Sequence, residues 1–205
     1  MSQAKRPGIT RRGFSGLAAG GIAATGMLTP AVSQATGAVL GGAESRPKPA
    51  LDLVLHDARF ADAVLFADTA RQAGVTALPT HGDLGALWFG GLRDDLGAMV
   101  RRVAGMGRYS DFWIMRQLAA DKGLTLKFQA EHDFRGRTAL HHRLPAAATD
   151  LQHLLTAADQ PWATHIARHV ALSSVDQAPG PLVDVASATP PAADHPGLLV
   201  TWVFA

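Results

Sequence analysis

The chain predicts an α/β domain on three observations. Short apolar runs alternate three times with amphipathic helical stretches, glycines close those stretches, and a strictly alternating strand follows the third. Order begins at Leu51 after a Gly, Ala, Ser and Pro-rich lead-in, residues 36–50. Leu51 to Leu55 reads as a strand, and Ala58 to Ala73 as a helix with Ala61, Val64, Leu65, Phe66 and Thr69 on one face and Gly74 as its stop. Val75 to Leu78 is a second strand closed by Pro79. Asp83 then caps a helical stretch containing Leu84, Leu87, Trp88 and Leu92, which ends raggedly at Asp94, Asp95 and Gly97. Met99 to Ala104 is the third strand, ending at Gly105-Met106-Gly107. Ser110 is placed to cap a helix over Asp111 to Lys122, whose stripe is Phe112, Met115, Leu118 and Ala119, with Gly123 as its stop.

Leu124 to Ala130 alternates as a half-exposed strand does, and Arg135-Gly136 turns the chain so that Thr138 to Arg143 pairs antiparallel with it. Two helices follow, over 147–158 and 162–172, and the Pro/Ala-rich run 178–196 reads as a long loop. Leu198 to Phe204 is almost continuously apolar, the mark of a strand buried on both faces. The expected architecture is one domain over 51–205. It is a small Rossmann-like or flavodoxin-like sandwich, with a mostly parallel sheet, helices on both faces and an antiparallel hairpin extension.

The first 35 residues carry a different message. Lys5, Arg6 and the run Thr10-Arg11-Arg12-Gly13-Phe14 precede an Ala, Gly, Leu and Ile-rich stretch to Leu28. Charge followed by a short apolar run is the layout of an export signal. The arginine pair with Phe14 two positions on resembles the twin-arginine (Tat) signal motif, from which Ser15 and Gly16 depart in the last two positions. The resemblance implies export by the Tat translocase to the periplasm or beyond. Pro30 breaks the helix, and Ser33 and Ala35 supply the small residues of a cleavage site after Ala35. The apolar run is short and glycine-rich, so a stable membrane anchor is not expected.

These 35 residues hold four of the 19 Lys and Arg and none of the 17 acidic residues, which leaves 15 basic against 17 acidic, a formal net of −2, for the remainder. Nucleic-acid binding needs a basic stripe. The nearest thing to one, Arg135, Arg137 and Arg143, reads as a solvated hairpin edge. The absence of cysteine excludes disulfides, thiolate nucleophiles, cysteine-based metal sites and a lipoprotein anchor.

Three places bear candidate chemistry. Gly105-Met106-Gly107-Arg108-Tyr109-Ser110 lies between a strand and a helix start and reads first as a tight strand-to-helix turn; its glycines also admit close approach, and its free amides favour an anion. The dinucleotide fingerprint fails there, because Ser110 stands where glycine is needed and the turn follows the third strand rather than the first. His56-Asp57 and Thr80-His81-Gly82-Asp83 fall at the carboxyl ends of strands one and two, the edge where open α/β sheets gather ligands. The candidate ligand-binding set is therefore His56, Asp57, His81, Asp83, Arg108, Tyr109 and Ser110.

The nine histidines form the third candidate. His165 and His169 lie four apart on one helical face, and Glu131-His132-Asp133 faces His141-His142 if the hairpin forms. His132, His141, His142, His165 and His169 are thus candidate ligands for a transition metal, although no glutamate follows His165 to act as a base and no spacing matches a known ligand pattern. No G-x-S-x-G elbow occurs, and Ser173-Ser174 lies at a helix end. Two functions follow: a non-catalytic accessory or small-ligand-binding protein using the carboxyl-end edge, with a co-exported protein as a further partner, or a histidine-ligated metal-dependent enzyme.

Overall fold

The computed structural model describes residues 49–136, 138–157, 159–173 and 178–205. The expected signal motif at Arg11, Arg12 and Phe14, the cleavage position Ala35, most of the lead-in, Arg137 and Ser174 lie outside the described residues. In chain order the elements are β1 (Leu53–His56), α1 (Ala61–Gln72), β2 (Thr76–Pro79), α2 (Leu84–Leu87), a wide π-type turn (Trp88–Leu92), α3 (Arg93–Asp95), β3 (Val103–Gly107), α4 (Tyr109–Asp121), β4 (Leu126–Asp133), β5 (His141–Pro145), α5 (Thr149–Thr156), α6 (Trp162–Leu172), β6 (Leu182–Ala186) and β7 (Leu198–Phe204).

The seven strands form one mixed sheet in the order β2-β1-β3-β7-β4-β5-β6. Helices cover both faces, as α/β patterning predicts, but the expectation of a mostly parallel sheet is corrected. Only β1 with β2 and β1 with β3 are parallel, whereas β3–β7, β7–β4, β4–β5 and β5–β6 are antiparallel. The cause is β7, which enters between β3 and β4 instead of extending an edge. The predicted hairpin forms, with Glu131, His132 and Asp133 opposite Arg143, His142 and His141. The run 178–196 is not all loop, because Leu182–Ala186 pairs with β5 and makes the sheet's edge.

Two apolar cores result. One packs Val54, Met106, Phe128, Leu144, Leu199 and Val203 against α1, α5 and α6, with the buried Trp162 among them. The other packs Leu53, Leu55, Val103, Val200, Trp202 and Phe204 against α2 and α4. In α1 the buried stripe is Ala63, Phe66, Ala67 and Ala70 with Asp62 and Thr69, rotated from the predicted face, so that Val64 and Leu65 are only partly buried. Helix α4 buries Phe112, Met115 and Ala119 as predicted, but starts at Tyr109 with Arg108 as its N-cap, so Ser110 is not the cap. Asp111, at the third helical position, reaches back to accept from the Arg108 amide at 3.2 Å. The face of β4 and β5 opposite α6 bears Glu131, Asp133, His141 and Arg143, paired as Arg143 Nη1 to Glu131 Oε2 at 2.9 Å, Arg135 Nε to Asp133 Oδ1 at 3.0 Å and His141 Nδ1 to Asp184 Oδ1 at 2.6 Å.

Gly105 and Gly107 are explained by packing inside β3. Gly105 stands opposite Trp202 in β7, and a Cβ there would overlap the indole, while one on Gly107 would meet Asp111 Oδ2 at 2.9 Å. The glycines therefore seat a tryptophan and a carboxylate. Replacing Gly105 with alanine must displace a buried indole, so Gly105→Ala is expected to lower stability by about 1–3 kcal/mol in urea denaturation. An unchanged midpoint would show that the indole is not held against this backbone.

Candidate functional site

The order β2-β1-β3 sends the chain from β1 to one neighbour and later to the other. The carboxyl ends of β1 and β3 therefore flank a crevice of the kind in which open α/β sheets bind ligands. Helix α1 leaves this edge on one face and α4 on the other. Asp57 follows β1 with its carboxylate fully buried. Its Oδ1 accepts from Arg59 N and Nε at 3.2 and 2.8 Å, and its Oδ2 meets Arg59 Nη2 at 2.6 Å. Burial alone would raise the Asp57 carboxyl, but hydrogen bonds and charge from Arg59, with Arg108 adding, hold it below its ordinary value. Arg59 is 41 % exposed and lies under the loop after β2, where a Cβ on Gly82 would overlap its guanidinium. That loop is tightly turned, with His81 at φ 47° and Gly82 at φ 76°.

Arg108 and Asp111 come from the end of β3. The guanidinium carbons of Arg59 and Arg108 lie 5.5 and 5.3 Å from the Phe60 ring centre. Arg108 forms no ion pair with another described residue, although its charge reaches Asp57 and Asp111. Burial, with the neighbouring Asp57 charge, raises the Asp111 carboxyl. Beside Arg108, Tyr109 and Trp113 are 49 % and 50 % exposed and line an open groove with Ser110. The edge thus gathers five of the seven predicted residues near one crevice: Asp57, Arg108, Tyr109 and Ser110, with His81 in the loop over Arg59. The other two face elsewhere. His56 is buried beneath α1, and desolvation, with the charge of Arg71, lowers its pKa. Asp83 is spent as the α2 cap, accepting from Ala86 N at 3.0 Å. Arg59 and Phe60 were missed by sequence reading; their signal was adjacency to Asp57 in the loop after β1.

The five metal candidates do not converge. His141 pairs with Asp184, His165 Nε2 with Asp159 Oδ1 at 3.1 Å, and His169 packs on the Phe128 ring at 5.6 Å. Only His132 and His142 meet, Nδ1 to Nδ1 at 2.8 Å, and both are fully buried. That distance is a hydrogen bond, so one nitrogen carries the proton. His132 Nε2 lies 2.9 Å from Thr201 Oγ1 in β7. Among the described residues no three His, Asp or Glu side chains are grouped to hold a metal.

The histidine pair sits under the Trp162 indole, 4.4 Å from His132 and 5.3 Å from His142 between ring centres, and His195 lies 6.4 Å from the same indole. His142 Nε2 and His195 Nε2 are buried without a hydrogen-bond partner, while the Trp162 indole interacts with the buried Asp62 carboxyl. An unpartnered buried polar group costs about 1–3 kcal/mol, so these two imidazole nitrogens weigh on a small domain. The segment 187–197 roofs this region. Ala192 N donates to Asp62 Oδ2 at 3.0 Å, Asp194 Oδ2 accepts from Ala61 N at 2.9 Å, and Gly197 O accepts from Phe134 N at 2.8 Å.

No protein-family model matches the chain, and neither the curated proteins nor the solved structures give a match. Among the described residues no helix is long and apolar enough to cross a membrane.

Burial holds His132 well below its ordinary 6.5 and His142 at about 3, and it lowers His56, His169 and His195 as well. His132 and His142 stay neutral in the folded chain well below 6.5, the region in which they titrate once it unfolds. Unfolding then takes up protons below that pH, and stability is lost as pH falls from 6.5. Asp62 and Asp111, both raised mainly by burial, act in the opposite sense at lower pH. Urea denaturation is therefore expected to lose up to about 1.4 kcal/mol per pH unit for each of His132 and His142 as the pH drops from 6.5 towards 4.5. A flat profile over that window would mean that the His132–His142 pair is open to solvent.

Proposed function

We propose that the domain binds, without transforming, a small ligand carrying an anionic group, in the crevice between the carboxyl ends of β1 and β3. The observation that supports this reading most is Arg108. Its guanidinium rests on Phe60 without an ion-pair partner among the described residues, whereas Arg59 beside it is committed to Asp57. The exposed Tyr109 and Trp113 rings offer an apolar shelf for the rest of the ligand. In this reading β2-β1-β3 is used as the parallel half of a Rossmann-like or flavodoxin-like sheet is used. The hydroxyl–imidazole pair among the described residues, Thr201 with His132, is sealed from solvent and cannot reach a substrate. That favours binding over nucleophilic catalysis, and the scatter of His141, His165 and His169 weakens the metal-enzyme alternative.

A thermal-shift series with inorganic phosphate and small mono- and dicarboxylates is expected to stabilise the wild-type protein. Arg108→Ala should abolish the response while changing unliganded stability by less than about 0.5 kcal/mol. A wild-type protein that responds to none of these anions, or an Arg108→Ala variant that responds fully, would contradict the proposal.

We further propose that the chain travels through the Tat translocase, on the strength of Arg11, Arg12 and Phe14, to act in the periplasm or outside the cell, alone or with a co-exported partner. The double variant Arg11→Lys, Arg12→Lys is expected to leave the protein in the cytoplasm, uncleaved after Ala35. Export at the wild-type level would overturn the assignment.

A further inference from the structure

We propose that the ligand of the crevice is an aromatic monocarboxylate, its carboxylate held by Arg108 and its ring laid in the groove on α4 against Tyr109 and Trp113. This deepens the anion reading made above and rests on it. The groove has room for the body of such a molecule, about 430 Å³ lined by Tyr109, Ser110 and Trp113, a volume within the range of small-molecule sites. Tyr109 and Trp113 are four residues apart, so they share one face of α4, and each ring is half exposed. Both rings are braced. Tyr109 stands edge-on to Phe112 with 5.9 Å between ring centres, and the Arg116 guanidinium carbon lies 5.7 Å from the Trp113 ring centre. Rings already held in place have little freedom left to lose on binding.

Arg108 is the N-cap residue directly before Tyr109, so the cation and the groove begin at neighbouring residues, about 3.8 Å apart at Cα. Its guanidinium carbon lies over the Phe60 ring, and a guanidinium resting on a ring keeps its in-plane N–H donors for a ligand. Their fork matches the two oxygens of a carboxylate. Charge then selects a monoanion. Arg59 spends its donors on both oxygens of Asp57, and Asp57 and Asp111 each feel the charges of Arg59 and Arg108. With two guanidinium groups already set against two carboxylates, a second negative charge on the ligand would find no partner. The π faces of Tyr109 and Trp113 favour an aromatic body over a saturated one of similar size, because offset or edge-to-face pairing adds to the burial of apolar area.

The test is a titration of the full chain, ¹⁵N-labelled at tryptophan, with benzoate, phenylacetate, cyclohexanecarboxylate and benzyl alcohol. It is followed at the Trp113 indole resonance, which is assigned by its loss in Trp113→Leu. Benzoate or phenylacetate is expected to shift that resonance saturably, with a dissociation constant roughly 2–10-fold below that of cyclohexanecarboxylate, which has the charge but no π face. Arg108→Ala should weaken the aromatic acids roughly 10-fold or more. In thermal shift, Trp113→Leu should keep the response to acetate and lose the preference for the aromatic acids. Equal affinity for benzoate and cyclohexanecarboxylate, benzyl alcohol binding as tightly as benzoate, or an aromatic response undiminished in Arg108→Ala each overturns the proposal. The anion reading survives the first of these if acetate still stabilises the wild-type protein and not Arg108→Ala, whereas failure of every anion, acetate included, removes both.

Discussion

The pairing of β7 between β3 and β4 is the constraint on which the rest of the molecule depends. A strand in this position is hydrogen-bonded on both edges and buried on both faces, and Leu199 to Phe204 is buried at every residue. It joins the parallel β2-β1-β3 half to the antiparallel β4-β5-β6 half, which share no other ladder. Its alternating side chains also serve both cores. Leu199 and Val203 face α1 and α6 together with Thr201, while Val200, Trp202 and Phe204 face α4. Burial of this kind is worth roughly 1.5–3 kcal/mol per large apolar side chain, so one strand contributes a large part of the apolar stabilisation on each side.

Both regions of candidate chemistry follow from that strand. Trp202 lies over Gly105 and fixes β3 closely enough that Asp111 can fold back over Gly107 to cap α4, which sets where Arg108 emerges beside Phe60. On the opposite face Thr201 anchors His132, and His132 in turn anchors His142. The exposed crevice and the enclosed polar cluster are therefore products of adjacent residues of one strand, pointing to opposite faces. The crevice is charged and open, with its acidic and basic groups nearly balanced except at Arg108. The cluster is neutral and sealed, and its histidines are held uncharged by burial.

Local elements were legible in the sequence because local chemistry determines them. The Phe112, Met115 and Ala119 stripe set α4, Arg135-Gly136 set the hairpin, and the hairpin put His132 opposite His142. What escaped depended on distant partners. The apolar run 198–204 announced burial on two faces but not between which strands, and that choice changed the sheet from mostly parallel to mixed. Leu182–Ala186 was hidden inside a Pro and Ala-rich stretch because an edge strand needs only modest apolar content. The Gly105 packing depends on Trp202, nearly a hundred residues away. Likewise His165 and His169 share a helix, yet one pairs with Asp159 and the other packs on Phe128, because helical spacing does not fix tertiary neighbours.

The central claim, that β7 unites two half-sheets into one cooperative unit, is tested most directly by native-state hydrogen exchange of the full-length protein. The slowest amides of β1, β3, β4 and β7 are predicted to exchange with the same opening free energy, equal to that of global unfolding. Amides of β4 and β5 opening at a clearly lower free energy than those of β1 and β3 would contradict it, since the antiparallel half would then unfold while the parallel half, with the Arg108 crevice, remained intact.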